Sequence, residues 1–292
     1  MLPFKEQQGA VKHIRKTKSR WYFRSRRVVY SALIFSVCYI AVVMLYQQIL
    51  KTFFVMSGFT EAKATYNQLQ NLPINPNEWN RKVITFIFGG VPIIFFVLGF
   101  FFVTLLWWME EIYNNIRLVV LWLAILCFNL FYTSVIISPA GNANYITGLY
   151  NGFAVVAAWW HIKNILLIPL VIFFMLISIL TGLLIGFEFM KFSHSKSLLE
   201  TKKGRGLFLT QTFLLPVLAG AIPLILLTNK YSFILHAVFI TNLLLMGAGM
   251  YIRSEIDNSS AQTVRTNTLN EMPLAETIIA LVVWGVVYLF FR

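Results

Sequence analysis

The sequence predicts an all-α membrane protein, a polytopic transmembrane helical bundle of about seven spans with its N-terminus in the cytoplasm. Three observations predict it. Of the 292 residues, 58% are hydrophobic and only 12% charged, whereas a soluble domain carries roughly 25% charged residues. Mean hydropathy is +0.72, which suits a surface that faces lipid and needs no charge. The apolar residues also gather into runs close to the roughly 20 residues needed to cross a bilayer.

The first element is a basic arm, residues 1–27. It holds nine of the 24 Lys and Arg residues, opposed only by Glu6. This concentration reads as a cytoplasmic anchor that follows the positive-inside rule and meets anionic lipid headgroups. Its candidate contacts with the membrane surface or with a partner are Arg15, Arg20, Trp21, Arg24, Arg26 and Arg27. The net charge of +13 therefore needs no nucleic acid to explain it. The rest, 28–292, is a multi-span membrane domain. Its first apolar run begins only after the arm and lacks an A-x-A-like cleavage site, so it reads as an uncleaved anchor.

The spans follow in order at about 28–50, 83–108, 118–138, 164–190, 207–228, 232–251 and 277–291. The last is short, and Arg292 can snorkel to extend it. Between them lie a polar connection at 51–82, a short turn at 109–117 and an almost uncharged segment at 139–163. A basic loop at 191–206, a tight turn at Asn229, Lys230 and Tyr231, and a polar cytoplasmic loop at 252–276 complete the chain. With the N-terminus inside, the inner segments collect 17 of the 24 basic residues and the outer ones seven. Trp21, Tyr22 and Phe23, then Trp107 and Trp108, then Trp159 and Trp160 stand at span ends, where amphipathic rings settle at the headgroup level. The segment 139–163, rich in Asn, Gly and Tyr, reads as a re-entrant or surface-lying helix and a candidate outward-facing contact site.

Polar residues inside spans are the default pointer to function. The candidate intramembrane network is Asn129, Glu188, His236 and Asn242. Glu188 lies three residues before Lys191, a spacing that suits an interfacial ion pair better than a mid-membrane proton relay. Asn129, His236 and Asn242 suit interhelical hydrogen bonds, with a substrate or proton path as the sharper alternative. Thr210, Gln211 and Thr212 either line a vestibule or join helices. Small residues at Gly182 and Gly186, and at Gly247 and Gly249, mark close helix packing within the chain or against another subunit. Cys38 and Cys127 read as small buried hydrophobes.

Chemistry is conspicuous by its lack of motif. His13, His161, His194 and His236 form no paired ligand spacing. There is no GxSxG elbow and no phosphate-binding glycine loop. Asp257 is the only Asp, so paired aspartates are excluded. The expectation is a protein without cofactor, metal site or enzymatic activity. It would be an inner-membrane subunit that anchors or assembles a larger envelope complex, with other membrane or envelope proteins, or a second copy of itself, as partners. A small-solute or ion transporter or channel is the alternative; no internal repeat supports it.

The basic Trp-Arg entry RWYFRSRR at 20–27, the chain length, the number of spans and the Phe-, Ile- and Asn-rich composition together resemble the TssN family. These are multi-pass inner-membrane proteins of type VI secretion systems in Bacteroidota. The resemblance implies an anchoring or assembly role in a secretion membrane complex, with other membrane subunits as partners. It carries over no functional residue.

Overall fold

In the computed structural model of the chain, the residues described are 4–59, 63–64, 69–70, 79–109, 114–144, 152–193, 199–226 and 230–256, the side chains of 4–27 not being among them. Helix α1 runs from Phe4 to Met56. It outlasts the expected end at 50 because residues 51–56 contain no breaker. It stops at Gly58, whose φ of +96° suits only glycine. The amides of Gly58 and Phe59 then close the helix on the carbonyls of Val55 and Phe54. A two-residue antiparallel bridge follows, β1 (Lys63–Ala64) against β2 (Leu69–Gln70).

Asn80 caps α2 (Arg81–Ile84), accepting a bond from the Val83 amide. The helix passes through a π turn, Thr85–Gly89, into α3 (Gly90–Trp108). Pro92 lacks the amide that would bond the carbonyl four residues back, and a π turn is the usual accommodation next to such a loss. Helix α4 (Asn114–Ile136) starts earlier than expected, so Arg117 is helical rather than part of a turn. The segment 139–163 contributes two short helices, α5 (Ser138–Asn144) and α6 (Phe153–Trp159). His161, at φ 52°, ends α6 in a left-handed cap, with the Ile162 amide on the Ala157 carbonyl.

Helix α7 is Asn164–Met190. Thr201 caps α8 (Lys202–Leu209), which continues through a second π turn, Thr210–Leu214, into α9 (Leu215–Leu226). Pro216 leaves the Thr212 carbonyl without its helical donor, and the Ser31 hydroxyl supplies one at 2.7 Å. Helix α10 is Lys230–Ile256, so Lys230 and Tyr231 begin a helix instead of forming a turn. The expected seventh span and the loop beyond 256 lie outside the described residues.

Among the described residues, five helical stretches are long and apolar enough to cross a membrane: Val28–Met56, Arg81–Trp108, Ile116–Ile136, Asn164–Met190 and Leu235–Ile256. The protein is helical and multi-pass. Helix α4 is the centre, with 78% of its apolar window buried, whereas α7 has the highest mean hydropathy, 2.8, and only 17% buried. High hydropathy with low burial marks a lipid-facing helix. Around Trp122 of α4, fully buried, the rings of Phe35, Phe189 and Phe213 pack at 5.0, 5.4 and 5.5 Å between centroids. Lipid tails offer no hydrophobic drive between helices, so such close packing and interhelical hydrogen bonds hold the bundle.

Contacts fix the helix directions. Tyr46 meets Phe95 and Phe53 meets Phe86, so α1 runs antiparallel to the α2–α3 segment. Phe96 meets Phe131 and Phe100 meets Phe128, so α3 is antiparallel to α4. Arg117 meets Glu188 and Tyr132 meets Phe174, so α4 is antiparallel to α7. Helices α7 and α10 run parallel: Gly182 lies on Met246 and Gly186 on Met250.

Candidate functional site

The polar residues of the membrane bundle fall into separate knots rather than one network. At one end, Arg117 at the start of α4 is only 2% exposed and sets its Nη2 2.7 Å from Glu188 Oε2. Lys191 closes on Glu188 Oε1, also at 2.7 Å, the i, i+3 pair that the spacing suggested. Arg117 also donates to the Met109 carbonyl at 3.4 Å. Arg117, placed by the sequence in the short turn at 109–117, is instead a buried helical residue paired with Glu188. A cation at this depth is tolerable only because a carboxylate meets it.

Arg205, placed by the sequence in the basic loop at 191–206, lies in α8. It is fully buried, and it donates to the carbonyls of Ser254, Leu199 and Glu200. Lys191 and Arg253 both lie over the ring of Phe187, at 4.7 and 5.9 Å. Arg117, Lys191, Arg205 and Arg253 therefore gather at one end of the bundle.

In mid-bundle, Asn129 of α4 donates from Nδ2 to the Phe239 carbonyl at 2.9 Å and accepts at Oδ1 from Asn242 Nδ2 at 2.7 Å. Both asparagines are buried. They fasten α4 to α10. His236 belongs elsewhere: its Nδ1 is hydrogen-bonded to the Tyr39 hydroxyl of α1. The sequence grouped Asn129, Glu188, His236 and Asn242 as polar residues inside spans; in the fold, of these four, Asn129 and Asn242 are bonded to each other and Glu188 and His236 pair elsewhere. The arm residues Arg15, Arg20, Trp21, Arg24, Arg26 and Arg27 belong to α1, and their side chains lie outside the described residues.

Thr210, Gln211 and Thr212 sit in the second π turn, where Gln211 is buried and Thr210 and Thr212 join helices. Thr210 Oγ1 bonds the Tyr251 hydroxyl, and the Thr212 carbonyl receives Ser31, which in turn accepts from Trp122 Nε1 at 3.3 Å. Cys38 and Cys127 are both free and buried. Trp107 and Trp108 are exposed at the end of α3, and Trp160 bonds Thr85 at 2.8 Å with Arg81 over its ring. Among the described residues, no three of His, Cys, Asp and Glu come together in a way that could hold a metal ion.

A cavity of about 120 Å³ opens between α1, α4 and α10, against the turn at Gly152. Its walls include Tyr39, Tyr46, Gln47, Thr133, His236 and Phe239. Gly152 is required there. Its φ is +52°, and a Cβ would fall 2.1 Å from the Ser134 hydroxyl, which accepts from the Phe153 amide at 3.2 Å. Neither the cavity nor its residues Tyr39, Gln47 and Thr133 emerged as a site from the sequence. Each is an unremarkable member of its own apolar run, and only the meeting of three helices makes them a group.

The chain matches no protein-family model, and neither a curated protein nor a solved structure is significantly similar to it.

Proposed function

We propose that this protein is a non-enzymatic inner-membrane subunit that anchors or assembles a larger envelope complex. The observation that carries the reading is the continuity of α1. The helix has 53 residues, of which Val28–Met56 supplies the 29 of the span and Phe4–Arg27 the other 24. The same helix thus continues for about 36 Å past the span, at 1.5 Å per residue. A strongly basic helix that continues past a span is most stable against a partner surface or anionic headgroups. The neutralised or carbonyl-bonded state of Arg117, Glu188 and Arg205 favours a static scaffold over an ion path.

Topology belongs to the same proposal. Residues 28–256 cross the membrane six times, α8 and α9 together supplying the fifth crossing, and 277–291 adds a seventh. The end that gathers Arg117, Lys191, Arg205 and Arg253 is the end from which the arm leaves, so the positive-inside rule puts both in the cytoplasm. The resemblance to the TssN family suggests a type VI secretion membrane complex as the machine.

Affinity purification of the tagged full-length protein in mild detergent, with mass spectrometry of what accompanies it, tests the reading. A stoichiometric set of envelope proteins is expected. It should be lost when Arg24, Arg26 and Arg27 are all changed to Glu. A protein recovered alone, or only as copies of itself, would sink the subunit role. One observation favours the transporter alternative, the cavity between α1, α4 and α10, and uptake into proteoliposomes would establish it.

A further inference from the structure

The cavity holds two buried polar groups that the fold leaves unpaired. Among the described residues, Gln47 Oε1 on α1 and Thr133 Oγ1 on α4 have no hydrogen-bond partner, although they are only 9% and 3% exposed. A threonine inside a helix ordinarily bonds back to the carbonyl one turn earlier, as Thr181 and Thr212 do here. Thr133 does not, and its residue lines the cavity. Native proteins rarely leave such groups unsatisfied, and each instance points to a strain reservoir, a functional role, or an ordered water or other bound molecule.

The remaining walls say what kind of molecule fits. Among the described residues, no carboxylate, lysine or arginine lines the space, so a charged guest would find no counter-charge from them in a low-dielectric setting. Tyr46 and Phe239 give aromatic surface, and Tyr39 is held in place by His236 and by an edge-on contact with Phe239 at 5.1 Å. An apolar cavity of about 150 Å³ takes up benzene, so the 120 Å³ here matches one six-membered ring. A pure hydrocarbon, such as an acyl chain, would leave both polar groups unpaired. A hydroxyl-bearing ring would not: a hydroxyl donates to the Gln47 oxygen and pairs in either sense with the Thr133 hydroxyl.

We propose that this cavity is a binding site for a neutral hydroxylated aromatic ring of the quinol class, a membrane-soluble molecule, with Gln47 and Thr133 holding its hydroxyls between aromatic walls. The site stands apart from the role of the basic arm, and either can fail without the other.

The test uses the purified full-length protein in detergent, without oxygen, titrated with a hydroquinone that carries a short alkyl tail. The matching alkylbenzene and a micelle-only blank serve as references. Saturable binding above the blank is expected, at an affinity well beyond that of the alkylbenzene. Gln47→Leu and Thr133→Val should each weaken binding about tenfold, the loss of one hydrogen bond. The unliganded variants should melt no lower than the parent, because each exchanges an unpaired polar group for an apolar one of similar size. If Gln47→Leu fails to fold, Thr133→Val decides alone. The proposal falls if the parent shows no saturable binding, if the alkylbenzene binds equally well, or if Thr133→Val binds as tightly as the parent.

Discussion

Glu188 carries more of the fold than its single charge suggests. It is the carboxylate between a guanidinium that cannot reach water and an ammonium that is 13% exposed. Replacing it by Gln strands Arg117, and a broken buried pair of this kind costs about 3–5 kcal/mol. Lys191→Ala removes the partner nearer the surface and should cost under about 1 kcal/mol. The pair Arg117→Met with Glu188→Leu should lose far less than Glu188→Gln alone, since apolar replacements remove the buried charges together. Reversible unfolding in mixed micelles measures all three; equal losses for Glu188→Gln and Lys191→Ala would contradict the assignment. The sequence showed the Glu188–Lys191 pair because three residues separate them. It hid Arg117, because its partner is 71 residues away and a cation after an apparent turn looks solvated. His161 is a second residue of this scale. Its φ of 52° strains a side chain that Gly would not carry, so His161→Gly should raise stability by about 1 kcal/mol in the same assay.

Between helices, the closest approach is that of α7 and α10, and it is reciprocal. A Cβ on Gly182 would sit 1.8 Å from the Met246 carbonyl oxygen, and one on Gly249 would sit 1.9 Å from that of Ile179. Each helix places backbone into a notch of the other. Backbone cannot rotate away as a side chain can, so Gly182→Ala or Gly249→Ala must push the helices apart, at about 1–3 kcal/mol each. Gly206→Ala is the control, with its nearest atom, on Tyr251, 3.6 Å away; it should be neutral or stabilising by up to about 1 kcal/mol. Melting temperatures in detergent separate these outcomes, and equal effects would refute the notch. The spacing of Gly182 and Gly186 announced close packing in the sequence, but not its partner, because small residues fit a helix of the same chain or of another. The hydrophobic runs were legible for a simpler reason: lipid demands length and apolarity from each span by itself. The segment 139–163 was read as a re-entrant or surface-lying helix, but its division into α5 and α6 was not legible, since neither reaches the length at which periodicity speaks.

Across the whole molecule, the order of helices turns into a sidedness that can be measured. With Cys38 and Cys127 replaced by Ala, a single cysteine at Lys82 or Lys163 should react with a membrane-impermeant thiol reagent in intact cells. One at Lys202 should react only after the membrane is opened. All three positions are exposed in the fold, so burial does not decide the result, and the opposite pattern would invert the topology. The parallel pairing of α7 with α10 has a consequence for how the protein is made. Synthesis delivers the N-terminal helices first, so α7 enters the bilayer while its glycine-notched face has nothing to receive. Residues 191–229 must then thread out and back before the matching surface emerges from the ribosome. During that interval α7 can pack on α4 through Arg117–Glu188 and Tyr132–Phe174, while its glycine notch stays open to lipid. Helix α10 supplies the backbone that fills the notch of α7.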